Sequence, residues 1–474
     1  LETLEQVRDR LVKRLIERQP QIDRLYAYYR GDHPLPWAPR EVIDAYRAYL
    51  QMSRSNWCRL VVKAPAERLR VTGIKFSGTD KGDVKAWERY WQGNQLDLQS
   101  RLVHDAALVA RRGFVLVWPS DDGKAPQITP EHPSQVIVDY APGCAMKRRY
   151  GLKLYADPEA KMQYATVWSA QEVANWEAPW HEGMTTTRWV ERFDDIENIE
   201  ALAENPVGEV PLVEFVADCD MLREPMGELD GGVLDIQDRI NKTILDRLVT
   251  SNFSSFKQRW VTGMEIPKDK DGNDVEPFKV AVNRLWMSED PEAKFGEFGA
   301  TDLDNYIKSV EADIQHLAAI TRTPPHYLLG QSGAFPSGES LKATETGLVA
   351  KVLERRDSFT ESWETVMRLA LKVDGDERAD DMAMSMVWKD PESRSLAEIV
   401  DAAVKLDAIG LPFRAVMEVI GYTPTEIDVL DTMRAEDVAT GLSFPPAAPT
   451  LAAVPPPALA AGPPAPKAAL PAAG

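Results

Sequence analysis

Cysteine is scarce in this chain of 474 residues: Cys58, Cys144 and Cys219 are the only three, far apart and odd in number. Neither a disulfide framework nor a clustered zinc site is suggested, and a reducing compartment fits best. Long hydrophobic runs are missing too. No stretch reaches the roughly 18 apolar residues that a membrane span needs, and the opening LETLEQVRDR has no apolar signal-peptide core. No membrane partner is expected, and synthesis is expected in the cytosol. The sequence starts on Leu1 rather than Met, so a few residues are expected to precede it. Positive charge is also in short supply. The 55 Lys and Arg face 74 Asp and Glu, a formal net charge of −19. A surface built to hold nucleic acid by neutralising phosphates has the opposite balance.

Catalytic patterns are absent as well. No Gly-rich run ends in Gly-Lys-Ser or Gly-Lys-Thr; Gly123-Lys124-Ala125 comes nearest and lacks both the first glycine and the magnesium-binding hydroxyl. Nucleotide hydrolysis is not expected. The six histidines, at 33, 104, 132, 181, 316 and 326, show no paired ligand spacing, and a lone histidine is usually a surface or core residue. The run DKDGND from Asp269 imitates a calcium loop, but Gly272 falls two places early and Val280 stands where the closing Glu belongs. Asp271-Gly272 reads better as a solvated hairpin turn. Asp290-Pro291-Glu292-Ala293-Lys294 has the outline of a nuclease carboxylate and lysine pattern, in a run short enough to arise by chance. No catalytic residue, cofactor or metal is expected, and the chain is not expected to be an enzyme.

What is present is enough apolar material, 44% of residues, for real cores in two to four domains. Leu4, Val7, Leu11, Leu15, Ile22 and Leu25 predict helix over 1–30 with Pro20 interrupting. Helix is predicted again from Arg40 to Leu50, from Asn56 to Leu69, and from Trp87 towards Gly113. Val71 to Phe76, FVLVW after Gly113, Val136–Val138, Lys147–Tyr155, Gln163–Trp168, Thr185–Phe193 and Val210–Val216 read as strands. The body is α+β. Gly231 to Lys257 then carries two apolar stripes, one through Val233, Ile236, Ile240, Ile244 and Leu248, the other through Leu234, Leu245, Val249, Phe253 and Phe256. One buried face needs only one stripe. Two suit either a thick core or identical neighbours in a ring, and both remain open.

Strand-like, turn-rich sequence follows up to Thr301, and helix returns from Leu303 to Ile320. Between Thr321 and Lys351 comes TRTPPHYLLGQSGAFPSGESLKATETGLVAK, a Pro, Gly and Ser segment wedged before a long helix over Glu339–Lys372, with Ser337 as its expected N-cap. Long unperiodic loops inside a domain are usually functional. Met384 to Trp388 reads as a strand, three helical segments fill Ser393 to Val438, and the Ala, Pro and Gly tail from Gly441 cannot bury a core.

Five segments resemble one known family, the portal proteins of tailed double-stranded-DNA bacteriophages: YYRGDHPLPWA from Tyr28, NWCRLVVKAPAERLRVTGIKF from Asn56, NPVGEVPLVEF from Asn205, LDIQDRINKTILDRLVTSNFSSFKQRWVTG from Leu234, and TPPHYLLGQSGAFPSGESLKATETGL from Thr323. They occur in the family's order and span nearly the whole chain. The resemblance implies a wing over 1–230, a stem helix over 231–258, a clip over 259–301 containing Asp271 and Gly272, and a second stem helix over 302–322. A tunnel loop over 323–338 follows, then a long helix and returning wing strand over 339–392, crown helices over 393–440, and an unmatched disordered tail over 441–474.

The resemblance further implies a homo-oligomeric ring, usually of twelve, at one capsid vertex, through which double-stranded DNA passes without sequence specificity. Implied partners are the major capsid protein, the terminase packaging motor and the head-to-tail adaptor. Gln331, Ser332, Gly333, Phe335 and Ser337 are then expected along the channel, and Ile236, Ile240, Ile244 and Leu248 in subunit packing of the stem. Acidic composition suits a wall past which DNA must slide, since like charges repel within about 8 Å at physiological salt. The alternative is a virion scaffold or adaptor with no channel.

Overall fold

The computed structural model describes residues 2–37, 47–76, 84–120, 125–180, 188–194, 199–255, 259–262, 292, 294–297, 302–329, 338–392 and 396–440. In chain order they form α1 (Leu4–Arg30), α2 (Arg47–Met52), α3 (Trp57–Ala66), β1 (Val71–Lys75), α4 (Leu96–Ala110), β2 (Gly113–Trp118), β3 (Gln127–Glu131), β4 (Val136–Ala141), β5 (Cys144–Asp157), β6 (Met162–Trp168) and β7 (Glu172–Pro179). There follow β8 (Val190–Glu191), β9 (Leu202–Glu204), β10 (Leu212–Phe215), β11 (Asp218–Cys219), β12 (Pro225–Met226), α5 (Val233–Ser255), β13 (Arg259–Thr262), β14 (Lys294–Glu297) and α6 (Asp304–Thr321). The last are α7 (Gly338–Val373), β15 (Ser385–Trp388), α8 (Leu396–Ala408), α9 (Phe413–Ile420) and α10 (Pro424–Ala439). Helix and sheet are mixed as expected. The chain divides into two compact units, Leu1–Thr425 and Glu426–Gly474, the second described only along α10 and Thr440.

Helix α1 opens with a capping box: the Thr3 hydroxyl accepts from the Gln6 amide while the Gln6 side chain accepts from Thr3 N. Gly31, at φ 87°, closes it in the left-handed conformation that favours glycine. The expected break at Pro20 does not occur. Pro20 sits on the exposed face, and buried Leu11 and Leu15 before it and Ile22 and Leu25 after it pin both halves. Those halves serve different cores. Val7, Leu11 and Leu15 pack on Ile137, Leu152 and Val167 of the sheet β4-β5-β6-β7-β8, while Leu25 and Tyr28 enter the main core.

That main core wraps α7, whose apolar spacing puts Leu348, Val352, Phe359, Trp363, Val366 and Leu369 all inside. Trp363 meets Trp91 edge-on at 5.0 Å and Phe215 at 4.8 Å. Each such ring contributes roughly 1.5–3 kcal/mol by burial. Strand β15 returns to pair antiparallel with β1, Ile74 facing Met386, which ties the end of this segment to its beginning. Five strands, β3, β7, β9, β11 and β12, lie where none was expected from sequence. Of Thr185–Phe193 only Val190–Glu191 is strand, and residues 181–187 lie outside the described residues.

Candidate functional site

On α5 the apolar line Val233, Ile236, Ile240, Ile244 shares its helix with Gln237 and Asn241, four residues apart and therefore on one face. Both are enclosed, at 0% and 1% exposure. Gln237 Oε1 accepts from the amides of Trp57 at 2.8 Å and Cys58 at 3.3 Å, two first-turn donors of α3 that have no partner within their own helix. Gln237 Nε2 donates to Asn241 Oδ1 at 3.1 Å, which also accepts from Ser55 N at 3.0 Å and Ser55 Oγ at 2.8 Å. Asn241 Nδ2 stands 2.6 Å from His33 Nε2, a contact that needs a neutral imidazole. Burial and then Arg54 hold His33 below the ordinary histidine range, in keeping with that contact. Tyr28 stacks on His33 at 5.0 Å, and its hydroxyl, pushed up to about 12 by burial and then by Asp238, donates to Asp238 at 2.7 Å. One end of α5 is thus locked to α1 and α3 by a polar seam.

The apolar line of α5 packs on α6. Ile240 is fully buried against Ile314, Ala318 and Leu328, with Ile236, Ile244 and Val310 half-buried at the border. Arg239 joins Asp313 across the pair at 2.7 Å. Leu245 packs with Leu50, so α5 does bury two faces, and within this single chain.

Where α6 ends, the chain enters the Pro, Gly and Ser segment, and both of its roots are held. Arg322 turns left-handed at φ 51°. The Thr321 hydroxyl donates to Leu317 O at 2.7 Å and lies 2.9 Å from Thr323 Oγ1. Lys351 of α7 donates to Thr321 O at 2.6 Å and to Glu228 Oε2 at 2.7 Å, the two side chains 5% and 4% exposed. Arg355 completes the group on Glu228 Oε1 at 3.2 Å. Burial pulls the Lys351 ammonium below the ordinary lysine range, with Glu228 opposing. After a single helical turn at Pro325–Leu328, Tyr327 donates to Glu345 at 3.1 Å and accepts from Arg68 at 2.7 Å. The stretch up to Leu329 is fixed to the turn after α3 and to α7 before the segment proper begins.

Of the residues singled out by sequence, Ile236, Ile240 and Ile244 come together in one cluster, and Leu248 is half-buried further along α5. Gln331, Ser332, Gly333, Phe335 and Ser337, and Asp271 and Gly272, lie outside the described residues. Sequence reasoning missed Gln237, Asn241, Ser55, His33, Lys351 and Glu228. The signal was a polar residue inside an apolar period: Gln237 and Asn241 beside the isoleucines, and Lys351 between Leu348 and Val352. Among the described residues no group of His, Cys, Asp and Glu is arranged to hold a metal, and no helix is long and apolar enough to cross a membrane. What these networks do is fix backbone; none presents a nucleophile beside a base.

Residues 8–413 match the family model described as phage portal protein, SPP1 Gp6-like. The chain is 27% identical over 410 residues to the portal protein of Mycobacterium phage D29, covering 83% of this chain and 81% of that one. With the portal protein of Mycobacterium phage L5 it is 27% identical over 411 residues, at the same coverage. Among solved structures, the neck of a native gene transfer agent particle computed with C12 symmetry is similar at 11% identity and a TM-score of 0.40, over 82% of this chain and 95% of that one. The neck of the empty particle, at 0.38, is similar over the same shares.

Proposed function

The chain belongs to the phage portal proteins of the SPP1 Gp6-like family, and we propose that copies of it close into a ring, of twelve in the family's usual form, around a channel for DNA. The ring stands at one capsid vertex. It passes the genome inward during packaging and outward at ejection, docking the terminase motor first and the head-to-tail adaptor later. The observation that carries this reading is the family match over residues 8–413.

The geometry supports it. The α5 and α6 pair serves as the stem, residues 259–301 as the clip, and the segment after Leu329 as the tunnel loop. A tunnel loop must yield to a moving duplex while its roots hold still, and its roots are the buried Lys351 group and the Arg68, Tyr327 and Glu345 triad. Residues 331–337 carry no charge, and the chain's net charge of −19 keeps phosphate affinity low. Translocation energy comes from the separate motor. Ile240, enclosed by its own chain, acts on assembly by setting the angle of α5 on α6, and the half-buried Ile236, Ile244 and Leu248 meet a neighbour.

Imaging the purified chain in negative stain tests this. Annular particles with a central hole wide enough for a duplex are expected. A monomer or dimer under all conditions overturns the ring and favours a scaffold or adaptor without a channel.

A further inference from the structure

The six-stranded sheet ends in two unlike edges. At one, β5 pairs with β4 from Cys144 to Lys153 but with β6 only from Gly151 onward, so the ribbon around residues 141–150 overhangs the sheet. On it Met146 is 83% exposed, Lys147 is exposed beside it, and Arg149 lies half-exposed over the Tyr150 ring. A single exposed apolar side chain is ordinary. Its meaning comes from the opposite edge.

There β7 is flanked by two short strands in tandem, β8 on Trp176 and Glu177 and β9 on Glu172 to Ala174. Where they meet, a cleft of about 480 Å3 opens, lined by Phe193, Ile199 and Leu202 and rimmed by Glu191, Asp194 and Glu200. Phe193 is 70% and Leu202 56% exposed, so the apolar floor faces water in a single copy. The walls are built. Asp194 and Ile199 exchange both backbone hydrogen bonds, at 3.0 and 2.8 Å, and Asn175 Nδ2 donates to Glu200 O at 2.9 Å. Arg192 turns inward over the Tyr164 ring, 4.2 Å from its centroid, leaving Glu191 and Glu200 exposed at the rim.

We propose that the basic Met146 ribbon of one copy seats in the acidic apolar cleft at Phe193 of the next, one of the contacts that close the ring. The occupant is a second copy because the two surfaces match in sign and in kind: cations flank an exposed thioether on one, carboxylates flank an exposed aromatic floor on the other. Methionine is flexible and polarisable and packs well against aromatic edges. The surfaces lie on opposite edges of one sheet, so the contact is head-to-tail and an open chain of copies keeps one donor and one acceptor site free, at its two ends, until the ring closes. Charge of opposite sign fixes the register and speeds encounter.

The contact rests on the ring reading above, and its test separates the two. One variant carries Lys147→Glu and Arg149→Glu; the other carries Glu191→Lys and Glu200→Lys. Alone, each places like charges in every contact, and ring yield in negative stain is expected to fall by roughly tenfold at moderate salt. Mixed in equal amounts they are expected to restore rings, since the acidic ribbon of the first meets the basic cleft of the second, and the basic ribbon of the second meets the acidic cleft of the first. In a Cys144→Ser background, Met146→Cys with Leu202→Cys is expected to give a ladder of disulfide-linked copies on mild oxidation of assembled rings. Wild-type ring yield from either charge variant alone, no recovery on mixing, or well-formed rings without a ladder overturns this contact and leaves the ring standing. A parent chain that never forms rings overturns both.

Discussion

His104 is the clearest case of a residue whose chemistry is set by enclosure. At 1% exposure its ring lies flat on Phe359, centroids 4.8 Å apart, and Nε2 accepts from Trp363 Nε1 at 2.9 Å. Burial lowers its pKa from 6.5 to about 3. The folded chain therefore binds fewer protons than the unfolded chain between these values. The stability it contributes is whole above pH ~6.5 and is lost as pH falls, at about 1.4 kcal/mol per pH unit. His104→Gln keeps an acceptor for Trp363 and does not titrate there. Its urea-derived stability is expected to fall with acid less steeply by about that slope between pH ~6 and ~4, and an unchanged slope would assign the acid sensitivity to other groups. Lys351 is held differently, by partners. Breaking a buried ion pair costs about 3–5 kcal/mol, and Arg355 still covers Glu228, so Lys351→Met is expected at the lower end, about 3 kcal/mol, in thermal or denaturant unfolding. A loss under 1 kcal/mol would mean that the Thr321 root does not depend on it. Asn241→Ala would leave Ser55 and His33 facing an empty seam, at about 1–3 kcal/mol by the same measurement.

Elements meet most tightly where β2 starts beneath α4. A methyl group on Gly113 would lie 2.6 Å from the Val103 carbonyl oxygen, a backbone atom that cannot swing aside. Gly113→Ala is thus expected to destabilise by about 1–3 kcal/mol, read as a lower denaturant midpoint, whereas wild-type stability would show that α4 shifts freely over β2. The long helix α7 was legible because its period is carried by side chains that end up inside, from Leu348 to Leu369. Strands were legible where aliphatics dominate, as in FVLVW. They were missed where pairing partners decide: β7 reads EVANWEAP, poor in β-formers, and becomes a strand because β6 flanks one side and β8 and β9 the other. The uninterrupted α1 has the same lesson, since burial on both sides of Pro20 outweighs one missing hydrogen bond. Buried polar seams were the least legible. Gln237 and Lys351 look like solvated residues until Trp57, Asn241, Glu228 and Thr321 are brought to them from far along the chain.

For the whole molecule, the channel proposed above raises the question of how a wall can touch DNA and still let it slide. Contacts through Lys and Arg gain affinity by releasing counterions and would hold the duplex in place. The net charge of −19 works against such contacts, and the run from Gln331 to Ser337 has no charged side chain at all. Gly333 within it, and Gly330 and Gly338 on either side, are residues whose backbone adopts conformations that others resist. The roots do the opposite work: Arg68, Tyr327 and Glu345 on one side and Lys351 with Glu228 on the other are anchored to the turn after α3, to α7 and to the segment before α5. None of those anchors draws on a residue between Gly330 and Ser337. Removing residues 332–336 should then leave the stem, its polar seam and the loop roots intact. Ring yield in negative stain is expected to match the parent, while genome packaging or retention in assembled particles falls by roughly tenfold or more, as for loss of a positioning contact. Normal packaging by the shortened chain would remove this segment from the channel's working parts, and loss of rings would make it a structural strut between copies.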